Sequence, residues 1–108
     1  MDKNKKTNLY KLFILKNIMG LALIKIKIMP SSPDTNLTAI EEKAKGITAK
    51  EQGKNIKIEK EPIAFGLNAL IVSFAREETL DSDNLLKKLQ NIPNVSSVEI
   101  IDFRRAIG

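Results

Sequence analysis

Residues Ile24-Lys25-Ile26-Lys27-Ile28 alternate apolar and charged side chains without a break. Strict alternation places every second residue on one face, so this segment reads as a strand with one buried face and one wet face. A single such strand has no partner for its backbone and nothing to cover its isoleucines. The rest of the chain has to supply both.

The segments that follow do so in a regular order. Pro30 and Pro33 are expected to stop the first strand. Pro33-Asp34-Thr35-Asn36 offers turn and cap residues. Leu37, Ile40, Ala44 and Ile47 then recur at helical spacing, with Glu41, Glu42, Lys43 and Lys45 on the solvent side and Gly46 expected to fray the end. A polar connection over residues 48–54 leads to Ile56-Lys57-Ile58-Glu59, a second strand stopped near Pro62. Residues 67–74, with β-branched Ile71 and Val72, read as a third and central strand. Residues 77–82 read as a polar linker ending in cap residues. Leu85, Leu86, Leu89 and Ile92 form an amphipathic stripe ended by Pro93-Asn94, and residues 95–103 form a last strand. The order is β-α-β-β-α-β. At this length it predicts a ferredoxin-like α/β sandwich of the α+β class, a four-stranded antiparallel sheet with two helices on one face.

The 108 residues suffice for one core. Two regions are expected, a flexible basic extension over residues 1–18 and a folded domain over 19–108. The extension contains Leu9, Leu12, Phe13 and Lys16 near one face of a short helix, and Met19-Gly20 resembles a natural start. Lys3, Lys5, Lys6, Lys11 and Lys16 against Asp2 give it +4 of the chain's net +5, so the body is nearly neutral. A domain-wide nucleic-acid footprint is therefore not expected. Lysines interrupt every apolar run, so neither a signal peptide nor a membrane span is expected, and the chain is read as cytoplasmic.

Chemistry is sparsely represented. With no Cys and no His, thiolate catalysis, histidine proton transfer and nearly every zinc site fall away. The five glycines are scattered, and neither a G-x-x-x-x-G-K-[ST] nor a G-x-G-x-x-G phosphate loop is present. Asp81-Ser82-Asp83-Asn84 opens like a calcium loop, but Leu86 and Ile92 stand where its glycine and closing glutamate are needed. Acids at a helix start account for it. Ser31, Ser32, Ser73, Ser96 and Ser97 have no histidine to activate them, and Glu59 and Glu61 read as solvated. No cofactor, metal site or catalytic residue is expected.

Two features invite a functional reading. Phe65 lies in Glu61-Pro62-Ile63-Ala64-Phe65-Gly66, between a proline that breaks pairing and a glycine that permits an unusual turn. It is either an interface anchor on a rigid loop or a plug closing one end of the sandwich. Arg104-Arg105, expected directly after the last strand, is either a mobile cation for a phosphate or acidic pocket or a solubilising end.

Three stretches decide between these readings by resemblance. They are Ile26 to Pro30 with Ser32-Pro33-Asp34, Glu61 to Leu67, and Val95 to Arg105. Over residues 19–108 the chain resembles the archaeal elongation factor 1-beta family and the exchange domain of its eukaryotic counterpart. The resemblance implies a non-enzymatic guanine-nucleotide exchange factor acting on elongation factor 1-alpha in translation elongation. The free chain is expected to be a monomer. It implies a GTPase contact through Pro62, Ile63, Phe65 and Gly66, and a second through Arg104 and Arg105, with Arg105 at the position of a cation that enters the magnesium and phosphate region. That cation is usually Lys in the eukaryotic relatives. The two contacts are expected to reach one pocket region of the partner. The alternative is an RNA- or ribosome-binding module on the same fold. It draws on the basic extension, but the strands lack a stacked-aromatic pattern, Phe74 and Phe103 being isolated.

Overall fold

The computed structural model describes residues 20–105. The elements are β1 (Leu21–Pro30), α1 (Leu37–Lys50), β2 (Lys54–Pro62), β3 (Asn68–Glu77), α2 (Asp83–Gln90) and β4 (Val95–Arg105). They form one four-stranded antiparallel sheet of order β2-β3-β1-β4, with the two helices on one face. This is the ferredoxin-like α+β sandwich expected from the element order. The expected basic extension, its helix and its Met19 start lie outside the described residues.

The alternation in β1 works as its period requires. Ala22, Ile24, Ile26 and Ile28 are buried, while Leu23 and Lys25 stay exposed. The buried row meets Leu70, Val72 and Phe74 from β3, Ile40 and Ala44 from α1, and Leu85 and Leu89 from α2 in one apolar core. β1 pairs with β3 on one side, Ile26 opposite Val72, and with β4 on the other, Ile26 opposite Ile100. It is thus a central strand together with β3, and β2 and β4 are the edges. The register with β4 slips between Lys25 and Ile26, the mark of a bulge.

Several boundaries differ from the sequence expectation. α1 does not fray at Gly46 but runs on to Lys50. Thr48 is fully buried behind that glycine, and the packing of this last turn outweighs a helix penalty of about 1 kcal/mol. At its start the Asn36 side chain accepts from the Ala39 N–H at 3.3 Å, as a cap residue should. β1 does end at Pro30, as expected. β3 continues to Glu77, and α2 ends at Gln90, leaving Ile92 buried in the turn beyond it. Most consequential, β4 includes Arg104 and Arg105, which pair with Leu23 and Ala22. They are strand residues and not a tail.

The return from α1 into β2 depends on a close approach. Gly53 donates its N–H to Thr48 O at 2.8 Å. A Cβ at Gly53 would lie 2.9 Å from that oxygen and 2.6 Å from Thr48 Cγ2, closer than real contacts permit. Thr48 itself keeps a buried hydroxyl with no hydrogen-bond partner. Thr48→Val preserves the shape and removes the unsatisfied group. It is expected to stabilise the fold by about 1 kcal/mol, read as a raised midpoint in chemical unfolding.

Candidate partner-binding ends of the sheet

Phe65 is carried by a tight turn between the edge strand β2 and the central strand β3. Pro62 and Asn68 are the last paired positions on either side. The turn is closed by the Ile63 N–H donating to Leu67 O at 2.7 Å and the Leu67 N–H donating to Ala64 O at 3.4 Å. Phe65 has φ +64° and Gly66 φ +77°, so two consecutive residues are left-handed. For a side chain with a Cβ this costs about 1–2 kcal/mol. Glycine bears it freely, and a Cβ added at Gly66 would come within 4.0 Å of the Pro33 side chain. The strained turn does not tuck the ring inward. Phe65 is 94% exposed, so it does not plug the sandwich.

Arg104 and Arg105 occupy the other end. Successive strand residues point to opposite faces. Arg104 Nε lies 3.1 Å from Asp102 Oδ2 on its own strand. Arg105 Nε lies 2.9 Å from Glu78 Oε2, just past the end of β3. The cation is therefore held by a carboxylate, in contrast to the mobile end expected.

The connection that presents Glu78 is itself fixed. Glu78 donates its backbone N–H to Gly20 O, and Leu80 donates to Glu77 O at 3.2 Å. Beneath it lies Arg76, only 3% exposed. Its guanidinium donates to Glu51 O at 2.7 Å, Leu80 O at 3.3 Å and Asp81 O at 3.2 Å. Glu51 Oε1 stands 3.7 Å away as counter-charge. A buried arginine is tolerated only when its donors are met, and these contacts meet them. Nothing in the sequence around Arg76 marks this role. An arginine at a buried position of an apolar strand is the one available signal.

Lys88 of α2 donates to Glu51 Oε2 at 2.6 Å. That hydrogen bond holds the Glu51 carboxyl below its usual value. Partial burial works against the shift, and the charges of Lys88 and then Arg76 add to it.

The distance between the two ends follows from register. Pro30 pairs with Val95 near the Phe65 turn, and Ala22 pairs with Arg105. Eight positions of β1 at about 3.3 Å each separate these levels by about 26 Å. The expectation that both contacts reach one pocket region is overturned. Phe65 and Arg105 stand at opposite ends of the sheet, because β2-to-β3 and β4 finish at opposite ends of β1.

The helix-free face bears on the nucleic-acid alternative. By register it presents Leu23, Lys25 and Lys27 of β1, Ile71 and Ser73 of β3, Lys57 and Glu59 of β2, and Glu99 and Asp102 of β4. Phe74 and Phe103 share the register face of Ile24, on the helix side. Among the described residues this open face carries no aromatic on which a base could stack. Its lysines alternate with acids. Among the described residues no group of three or more metal-ligating side chains occurs and no helix is long and apolar enough to cross a membrane.

The described residues form a two-layer α+β domain with an exposed aromatic at one end of the sheet and a carboxylate-paired cation at the other. Residues 23–106 match the family described as EF-1 guanine nucleotide exchange domain, and the chain belongs to that family. It is similar to elongation factor 1-beta of Pyrococcus abyssi, 42% identical over 86 residues, covering 78% of this chain and 89% of that protein. The Methanosarcina barkeri protein of the same name is 38% identical over 88 residues, covering 81% and 99%. That of Nanoarchaeum equitans is 39% identical over 82 residues, covering 75% and 100%. Members of this family are exchange factors of translation elongation and not enzymes, and this holds for the chain.

The Glu51 shift has a testable sign. Folding depresses its pKa, so its stabilising contribution is complete at neutral pH and is lost as pH falls through the depressed value. Wild type is expected to exceed Glu51→Gln in stability at pH 7. The gap is expected to close on the acid side of the carboxylate range, measured by urea unfolding at a series of pH values.

Proposed function

We propose that this chain promotes exchange of GDP for GTP on elongation factor 1-alpha by gripping it at two separate places. The Phe65 turn, with Pro62, Ile63 and Gly66, is one grip. Arg105, with Arg104 beside it, is the other. The observation that carries the reading is the almost complete exposure of Phe65 on a left-handed turn. A fold does not hold an aromatic ring in water at a backbone cost unless the ring has a use elsewhere.

The mechanism is one of linked equilibria. A factor that prefers the nucleotide-free GTPase weakens nucleotide binding by the same factor that nucleotide weakens its own binding. Phe65 supplies apolar contact, about 1.5–3 kcal/mol for a ring that becomes fully buried. Arg105 brings a permanent cation to the acidic ligands and phosphates that otherwise hold magnesium. A sheet whose two ends are about 26 Å apart along β1 is stiff on this scale. It rewards only the GTPase arrangement in which both contact places lie at that spacing, and so selects one conformation from an ensemble. No covalent bond changes, and GTP refills the emptied site by mass action.

The exchange unit is residues 19–108, with the basic extension 1–18 outside it. The factor works in the cytoplasm as a monomer when free, with no nucleic acid or membrane as partner. Release assays with and without residues 1–18 test the first point, and sedimentation of the free chain tests the state of association.

Phe65→Ala is expected to leave the unfolding free energy within about 0.5 kcal/mol, since the ring buries almost nothing. Phe65→Ala and Arg105→Ala are each expected to slow factor-stimulated release of fluorescent GDP from the purified GTPase. Because the two lie far apart, their effects should multiply in the double variant. Wild-type stimulation by both single variants defeats the site assignment.

A further inference from the structure

The ion pair at the Arg105 end allows the cationic grip to be taken one residue further, and this step rests on the reading of Arg105 given above. We infer that Glu78 is a positioning residue for Arg105, setting the guanidinium in the direction it needs before the GTPase arrives.

The geometry separates positioning from competition. A guanidinium carries five N–H donors in a planar fork. Glu78 approaches Arg105 on its Nε side, at 2.9 Å. The two terminal nitrogens of Arg105 make no hydrogen bond among the described residues, and its side chain remains 70% exposed against 21% for Glu78. The outer edge of the fork is free to meet a phosphate or carboxylate while the inner edge stays with Glu78. The two pairings are compatible, so Glu78 does not have to be displaced.

Glu78 is also suited to be the fixed member of the pair. It follows directly on β3, its backbone N–H is bonded to Gly20 O, and the carbonyls of Leu80 and Asp81 are stapled by buried Arg76. Thr79 Oγ1 donates to Glu77 Oε1 at 3.1 Å and the Asp83 N–H to Asp81 Oδ1 at 2.9 Å, closing the rest of the connection. A long arginine side chain loses much rotamer freedom when it binds. Pairing with a carboxylate on a fixed connection removes part of that freedom in advance. An ammonium at the same position carries three donors but no planar fork, so pairing with Glu78 fixes its direction less than it fixes a guanidinium's.

The test is a double-mutant cycle on the full chain with the purified GTPase loaded with fluorescent GDP. Half-saturating factor concentration and maximal release rate are measured separately. Glu78→Gln keeps size and removes the charge. It is expected to raise the half-saturating concentration by up to about fivefold, the range of a partly exposed ion pair, and to leave the maximal rate unchanged. In the Arg105→Ala background the same substitution is expected to change nothing further.

Other outcomes overturn the inference. An effect of Glu78→Gln that persists undiminished in Arg105→Ala shows a role in folding and not in positioning. Faster or tighter stimulation by Glu78→Gln shows a competitor for the cation. No effect in the wild-type background shows an idle surface pair. If Arg105→Ala alone matches wild type, the cationic grip itself is wrong and this inference falls with it. A normal Arg105→Ala defect beside an inert Glu78→Gln removes only the positioning role.

Discussion

Burial of the isoleucine row of β1 is the interaction on which the rest of the structure depends. Ile24, Ile26 and Ile28 cannot leave water unless two strands flank β1 and two helices cover one side. Meeting both demands makes β1 a shared ruler. β3 and β4 are each measured against it, and every functional position inherits its level along the sheet from that pairing.

The ruler explains why Phe65 and Arg105 lie at opposite ends of the sheet. β1 starts beside Arg105 and finishes near the Phe65 turn. The β2–β3 turn and the end of β4 are therefore forced to opposite poles, whatever side chains they carry. A rigid body of this kind suits an exchange factor. Nucleotide release needs no reactive group from the factor, only contacts whose spacing suits one form of the partner better than another.

The two ends are built on different physical terms. At the Phe65 end the backbone bears the cost, with two left-handed residues closing a turn that leaves the ring in solvent. At the Arg105 end the fixed contacts are electrostatic. A buried arginine braces the connection, a carboxylate on that connection meets the cation, and Glu51 ties the network to Lys88 on α2.

The order of elements, the buried face of β1 and the identity of the Phe65 and arginine motifs were legible in the chain, because side-chain period and turn chemistry are local properties. Extents were less so. α1 passes Gly46 because Thr48 packs in the core, and β4 absorbs Arg104 and Arg105 because Leu23 and Ala22 lie opposite to pair with them. Whether Phe65 faced water or core, that Arg76 would staple three carbonyls, and that Glu78 would meet Arg105 depend on residues brought together across the sheet. So does the span between the two grips. Local sequence sets what each segment is, but only strand register, a long-range pairing, sets where it ends up.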